Sequence, residues 1–195
     1  MKLILIRHGR PEHHHYYFSS LSQHEQLVAQ YDAAGLSEVG AEAVGKLARQ
    51  LPGAMILGSD LPRARETAEI LRNLSELPIH FDPLFREVKS SNIAVGFLGK
   101  LWGPSTMWSL LRSFCWLVGI GDYSESFRQA WTRTGEAVHV ILKYMEVEET
   151  LILVSHGWFI TLIAVYLRRQ GLIEKGPLLP NVGFGSTTEY YLRTG

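Results

Sequence analysis

The chain has 195 residues, 46% of them hydrophobic, and its nineteen basic residues balance nineteen acidic residues. This length and hydrophobic content predict one folded domain and exclude a disordered chain, while zero net charge gives no overall attraction to nucleic acid or an anionic membrane. The single cysteine, Cys115, excludes an internal disulfide and a cysteine-based zinc site. The apolar stretches are too short for a transmembrane span of roughly 20 residues or for a signal peptide, so we expect a cytoplasmic protein.

The first predicted element is a strand over residues 3–6, four apolar residues in a row, which ends in Arg7, His8 and Gly9. Such a run is typical of a strand buried on both faces, and the carboxyl edge of an open α/β sheet is where ligands usually bind. Arg7 suits phosphate or carboxylate oxygens, and His8 can attack or move a proton near neutral pH. Gly9 would allow a turn and the close approach of a ligand. Taken alone, the tripeptide is explained equally well by a charged strand end that faces water.

The polar segment 10–34 has no clear period and predicts a long loop, with a short helix near residues 22–31. It contains three consecutive histidines, His13, His14 and His15. Consecutive side chains do not share one face of a helix or strand, which disfavours a metal site. We therefore interpret this segment as a solvated loop that borders the pocket.

A helix over residues 38–51 is predicted next, followed by a second buried strand at residues 54–58. Ser59 or Asp60 would cap the following helix, and Arg63 stands in its first turn. Free backbone N–H groups and the helix dipole already favour an anion there, whereas a basic side chain opposes the dipole. We therefore interpret Arg63 as part of an anion site rather than as an ordinary surface arginine.

Glu87 follows a third predicted strand, at residues 78–81, and lies in a semi-apolar segment. Such a setting can raise the pKa of a carboxyl group and keep a proton available. The alternative, favoured by this segment alone, is an ion pair with the neighbouring Arg86.

Two helical segments fill the middle of the chain. The first lies within residues 89–121, and its bulky apolar residues are interpreted as core, with a lid or partner surface as the alternative. Asp122 and Glu125 then resemble a capping box that would open a long amphipathic helix.

The last buried strand, residues 150–155, ends in a histidine and a glycine like the first strand does. His156 would therefore stand at a strand-to-helix junction. A buried helix is predicted for residues 158–169, and a final strand for residues 186–192.

Arg7, His8, Arg63 and His156 thus stand at strand ends or helix starts, with Glu87 as a fifth candidate. If the strands are parallel neighbours, these groups converge on one edge of the sheet. Two guanidinium groups and two imidazoles around one point would neutralise a phosphoryl group and leave one imidazole free to attack.

Six short segments occur in a fixed order: LIRHG at 5–9, GLSEVG at 35–40, SDLPRARETA at 59–68, LFRE at 84–87, ESF at 125–127 and VSHG at 154–157. In this order they resemble the histidine phosphatase superfamily, which includes the cofactor-dependent phosphoglycerate mutases. The resemblance implies a three-layer α/β/α sandwich whose central, mostly parallel sheet carries helices on both faces. We expect one such domain over residues 1–195, with divergent rim segments at 10–34 and 89–121.

The resemblance also implies roles for the candidate residues. His8 would be the nucleophile and carry a phosphohistidine, with its other ring nitrogen donating to a backbone carbonyl. Arg7, Arg63 and His156 would hold the phosphoryl oxygens. Glu87 would protonate the leaving oxygen and then help to activate water. This scheme requires no metal and no cofactor.

The resemblance favours a metal-independent phosphomonoester hydrolase acting on a small phosphorylated substrate. Pro11 and His14 stand near positions where many relatives carry a threonine or serine and an asparagine, which makes His14 a candidate for the substrate rim. A phosphoglycerate mutase-type phosphotransfer is the first alternative, weakened because the Gly-x-x-Glu-Gly of mutases is not evident after Glu87. A phospho-ligand-binding module without turnover is the second.

Overall fold

The computed structural model describes residues 1–12, 17–52, 54–75, 78–89, 99–122 and 124–193. The chain divides into two compact units: Met1–Glu12, Gly35–Glu87 and Thr132–Gly195 form the first, and His13–Ala34 with Val88–Trp131 form the second. Most of the two segments expected to form a rim belongs to the second unit. Among the helices described, none is long and apolar enough to cross a membrane.

The elements are, in chain order, β1 (Lys2–Arg7), β2 (Phe18–Ser20), α1 (Leu21–Ala33), α2 (Glu38–Ala48), β3 (Met55–Gly58), α3 (Pro62–Ser75), β4 (Ile79–Phe81), β5 (Trp102–Pro104), α4 (Ser105–Val118), α5 (Phe127–Met145), β6 (Thr150–Ser155), α6 (Gly157–Arg169), β7 (Ile173–Lys175) and β8 (Thr187–Leu192). A short 3₁₀ turn, Pro83–Phe85, follows β4.

The first unit is built on a six-stranded sheet in the order β4-β3-β6-β1-β8-β7. Strands β4, β3, β6 and β1 run parallel to one another, whereas β8 runs antiparallel to both β1 and β7. The predicted α/β fold with a mostly parallel sheet is confirmed. Because β3, β6 and β1 are parallel and adjacent, their carboxyl ends meet at one edge of the sheet.

Alternation along the strands divides the core into two layers. Ile4 and Ile6 of β1 pack with α2 and α3, in a cluster that also includes Ile56, Ile152 and Val44. The intervening strand residues point to the other face and are just as buried, which explains why these strands are apolar throughout. Helix α6 contacts β1, and most of its apolar residues are buried. The prediction of a helix buried all round is only partly correct, since Trp158 and Val165 are 45% and 37% exposed.

The second unit pairs β2 with β5 and packs Leu21 of α1 against Trp108 and Cys115 of α4. The interpretation of the apolar segment as core is correct for one side of α4 only. Leu110 and Phe114 are 72% and 60% exposed. A helix that is apolar on most sides cannot bury its whole surface against one neighbouring layer.

Several local expectations are corrected by the structure. The long helix α5 begins after Ser126, whose hydroxyl accepts from the N–H of Gln129 while the Gln129 amide oxygen accepts from the Ser126 N–H. This reciprocal pair replaces the expected box of Asp122 and Glu125, and it lies directly before the first helical residue. The strands β2, β5 and β7 were not predicted, because each contains only one large apolar residue, whereas the equally short β4 contains two.

Candidate active site

The ends of β1, β3 and β6 are tied together by backbone hydrogen bonds. The His8 N–H donates to the carbonyl oxygen of Ser155 at 2.9 Å, and the Ser59 N–H donates to that of Val154 at 3.0 Å. The residues after three adjacent strands are thereby fixed beside one another, so the side chains of His8, Ser59 and His156 share one edge of the sheet.

His8 is 1% exposed, and both of its ring nitrogens are engaged. Nδ1 lies 2.8 Å from the carbonyl oxygen of Gly9, which can only accept, so Nδ1 carries the proton. Nε2 lies 3.2 Å from Nε of Arg63 and accepts from it. Burial, then the charge of Arg63, and further the charge of Arg7, lower the pKa of His8 from 6.5 to about 3. The ring is therefore neutral, and its Nε2 lone pair faces a guanidinium group.

Arg63 is fully buried in the first turn of α3, the position predicted from the sequence. The hydroxyl of Thr67, one turn further along the helix, donates to the Arg63 carbonyl at 2.7 Å and accepts from the Gly9 N–H at 2.9 Å. The loop after β1 is thereby anchored to the helix that carries Arg63. A Cβ on Gly9 would stand 2.8 Å from Cγ2 of Val44, so this glycine allows α2 to pack closely against the end of β1.

His156 is the N-cap residue of α6 and is completely buried. Its ring centroid lies 5.1 Å from that of His8, and its Nε2 lies 2.9 Å from the hydroxyl of Ser59. Its Nδ1 is buried and has no hydrogen-bond partner among the described residues. Burial, and then the neighbouring His8 and Arg63, lower the pKa of His156 well below its usual value.

Arg7 projects from the end of β1 and is held by a loop that precedes β8. Its Nη1 donates to the carbonyl oxygen of Val182, and its Cζ lies 4.1 Å from the ring centroid of Phe184. The same ring lies 5.7 Å from the His8 ring. Nε of Arg7 is buried and finds no partner within the described part of the chain.

Glu87 reaches the N-terminus of α6, where its Oε1 accepts from the Phe159 N–H at 3.1 Å and its Oε2 from the Trp158 N–H at 3.4 Å. It thus caps the helix whose N-cap residue is His156. The alternative ion pair with Arg86 is wrong, since Arg86 binds both carboxylate oxygens of Asp60 at 2.6 and 2.7 Å.

The arrangement is suited to a phosphoryl group. The guanidinium of Arg63 donates to a neutral imidazole nitrogen, and the charge of Arg7 acts on the same ring. The unpartnered Nε–H of Arg7 is a donor that an anion's oxygen could accept from. Within the described ranges, no group of His, Cys, Asp and Glu side chains could hold a metal ion. The three histidines His13, His14 and His15, and with them the predicted rim residue His14, lie outside the described residues.

Sequence reasoning missed Thr67, Val182 and Phe184, and it treated Ser59 only as a helix cap. A signal existed for Ser59 and Thr67, since both belong to the SDLPRARETA segment. No local pattern marks the other two, which lie more than 170 residues from Arg7 in the chain.

The family model of the histidine phosphatase superfamily (branch 1) matches residues 3–178. No curated protein matches the chain at a significant level. Among solved structures, Bacillus stearothermophilus YhfR is similar, with a TM-score of 0.64, 22% identity, and 98% of this chain and 94% of that chain covered.

Two phosphatases of known substrate have similar folds. The mycobacterial glucosyl-3-phosphoglycerate phosphatase matches with a TM-score of 0.61 and 20% identity, over 96% of this chain and 88% of its own. A histidine-to-alanine variant of the Entamoeba histolytica phosphoserine phosphatase, in complex with phosphoserine, matches with a TM-score of 0.61 and 18% identity. The match covers 98% of this chain and 91% of that chain. At these identities the likeness concerns the fold.

Proposed function

Because the chain belongs to the histidine phosphatase superfamily (branch 1), we propose that it is a phosphomonoester hydrolase that works through a phosphohistidine on His8. The observation that carries the proposal is the neutral Nε2 of His8, buried beside the guanidinium of Arg63 at 3.2 Å. A nucleophilic nitrogen needs its lone pair at neutral pH, and a phosphoryl group needs cations around it.

In the first step, the phosphate dianion of the substrate enters beside Arg63, Arg7 and His156. The N–H of Arg63 that now donates to His8 would turn to a phosphoryl oxygen and free the Nε2 lone pair. Nε2 then forms a bond to phosphorus while the bond from phosphorus to the ester oxygen breaks. The guanidinium groups stabilise the charge on the equatorial oxygens, and the hydrogen bond of Nδ1 to Gly9 keeps the ring in the reactive tautomer.

We assign Glu87 as the group that donates a proton to the leaving oxygen. Glu87 then accepts a proton from the water that attacks the phosphohistidine. That second step breaks the nitrogen–phosphorus bond, releases inorganic phosphate and restores neutral His8. The hydrogen bonds from the N-terminus of α6 support the placement of Glu87, because they hold its carboxyl group at the same helix end as His156.

The substrate class is a small phosphomonoester. Named relatives of this fold act on phosphoserine and on glucosyl-3-phosphoglycerate, both of which carry a phosphate on a small polar alcohol. That His14 belongs to the substrate rim stays a prediction from the sequence, because His14 lies outside the described residues.

A panel of phosphorylated metabolites tests the proposal, with inorganic phosphate release measured for the wild type, His8→Ala and the control His139→Ala. His139 lies exposed on α5, so its variant should keep full activity. His8→Ala should lose at least about 10³-fold in kcat, as removal of a nucleophile does. Undiminished hydrolysis by His8→Ala, or the absence of hydrolysis by the wild type across the panel, would contradict the proposal.

A further inference from the structure

The loop before β8 is joined to the end of β1 by backbone hydrogen bonds. The Gly185 N–H is shared between the carbonyl oxygens of Arg7 and His8 at 3.1 and 3.0 Å, and the Arg7 N–H donates to the carbonyl of Ser186 at 3.1 Å. Gly185 has a φ of +67°, a left-handed conformation that glycine adopts without strain. The loop is therefore fixed to the two residues at the centre of the site.

The loop is also stiffened from within. The side-chain oxygen of Asn181 accepts from the Gly183 N–H at 3.0 Å, and the Ser186 hydroxyl lies 2.7 Å from the carbonyl oxygens of both Asn181 and Gly183. The Asn181 N–H donates to the Thr188 hydroxyl at 2.8 Å, which connects the loop to β8. A loop closed by this many internal bonds presents its side chains in a fixed orientation.

Two features of this loop act on the side chain of Arg7. The Phe184 ring lies 4.1 Å from Cζ of the guanidinium, and the Val182 carbonyl accepts from Nη1. The start of α6 lies close to the same group, since a Cβ built on Gly157 would stand 3.4 Å from Nε and 3.5 Å from Cζ of Arg7. The guanidinium is thus confined between a ring, a carbonyl and a helix start, while its Nε stays unpartnered among the described residues.

We propose that Phe184 is a positioning residue for Arg7: its ring fixes the plane of the guanidinium so that Nε–H is presented to the phosphoryl group. The inference rests on the proposed function for its effect on catalysis, but the orientation of Arg7 is a property of the unliganded protein. A cation over an aromatic face is attracted by the ring quadrupole, so the contact holds the charged group without neutralising it. A carboxylate in the same place would instead compete with the phosphate.

Substitutions at Phe184 separate the ring's face from its bulk. Phe184→Leu and Phe184→Met keep apolar volume but remove the π face, whereas Phe184→Tyr retains it. The control is Tyr191→Leu on β8, which removes another half-exposed aromatic side chain. The ammonium groups of Lys2 and Lys175 lie 6.0 and 5.7 Å from the centroid of its ring. For Phe184→Leu and Phe184→Met we expect kcat/KM and the affinity for orthovanadate to fall by about 3- to 30-fold, the range of a cation–π contact. Phe184→Tyr should stay within about twofold of the wild type.

A second readout needs no turnover. In the wild type without ligand, the Nε–H resonance of Arg7 should be shifted by the ring current of Phe184 and show restricted motion. Phe184→Leu should lose both properties, and Phe184→Tyr should keep them. Equal behaviour of the leucine and tyrosine variants, or an unchanged Arg7 resonance in Phe184→Leu, would overturn the positioning role. A wild type that lacks phosphatase activity would refute the proposed function alone, since the resonance still decides the role of Phe184.

Discussion

Lowering the pH should destabilise the folded protein through its buried histidines. Burial, with Arg63 as the next cause, holds the pKa of His8 at about 3 in the folded chain, against 6.5 when unfolded. Between these values the unfolded chain binds a proton that the folded chain does not, so the free energy of unfolding rises with pH. The stability is fully present above about pH 6.5 and is lost as the pH falls toward 3. His156 shifts in the same direction.

The magnitude follows from linkage. With these two pKa values, His8 alone should cost about 2 kcal/mol of unfolding free energy between about pH 7.5 and about pH 5. His8→Gln removes this titrating group, so the variant should lose about 2 kcal/mol less unfolding free energy than the wild type over the same pH interval. Urea unfolding, followed by tryptophan fluorescence at both pH values, measures the two free energies.

The control His139→Gln changes an exposed histidine and should lose as much stability on acidification as the wild type does. The reasoning is refuted if His8→Gln and the wild type lose the same stability over this pH interval. That result would mean that His8 binds a proton in the folded state as readily as in the unfolded chain.

Three substitutions test individual contacts. Thr67→Val leaves the buried N–H of Gly9 without its acceptor and should lower the urea-measured free energy of unfolding by about 1–3 kcal/mol; no loss would contradict the anchoring of that loop. Asp60→Asn breaks the ion pair with the half-exposed Arg86 and should lower the free energy of unfolding by about 1 kcal/mol or less, an effect that salt reduces. A larger loss that salt does not change would contradict the interpretation of this contact as a screened surface ion pair. Glu87→Gln should lower kcat about 10²- to 10⁴-fold on an alkyl phosphate but much less on 4-nitrophenyl phosphate, whose leaving group needs no proton; equal losses in steady-state assays would exclude Glu87 as the proton donor.

The elements that form the site edge could be predicted because each is a short apolar run ended by a polar or glycine residue. Strands β1, β3 and β6 are buried on both faces, so their sequence is apolar regardless of the side-chain alternation that identifies exposed strands. The placement of Arg63 in a helix's first turn was also readable from Pro62 and the preceding strand.

The hydrogen-bond partners of Glu87 and Arg7 could not be predicted from the local sequence. Glu87 has a basic neighbour in sequence, and the local rule pairs them, but β6 and α6 bring backbone amides from more than 70 residues away. Arg86 turns instead to Asp60, 26 residues earlier. The Phe184 loop has no period, and its shape comes from hydrogen bonds to its own backbone and to β1. Such contacts depend on the completed tertiary structure.

The most direct test of the central claim is to trap the phosphoenzyme. The wild type is mixed rapidly with a phosphomonoester substrate, quenched in alkali and digested, and the phosphorylated peptide is located by mass spectrometry. We predict an acid-labile, alkali-stable phosphoryl group on Nε2 of His8, absent from His8→Ala and accumulating in no other peptide. Efficient turnover with the label on another residue, or with an unlabelled His8 at every quench time, would contradict nucleophilic catalysis by this histidine.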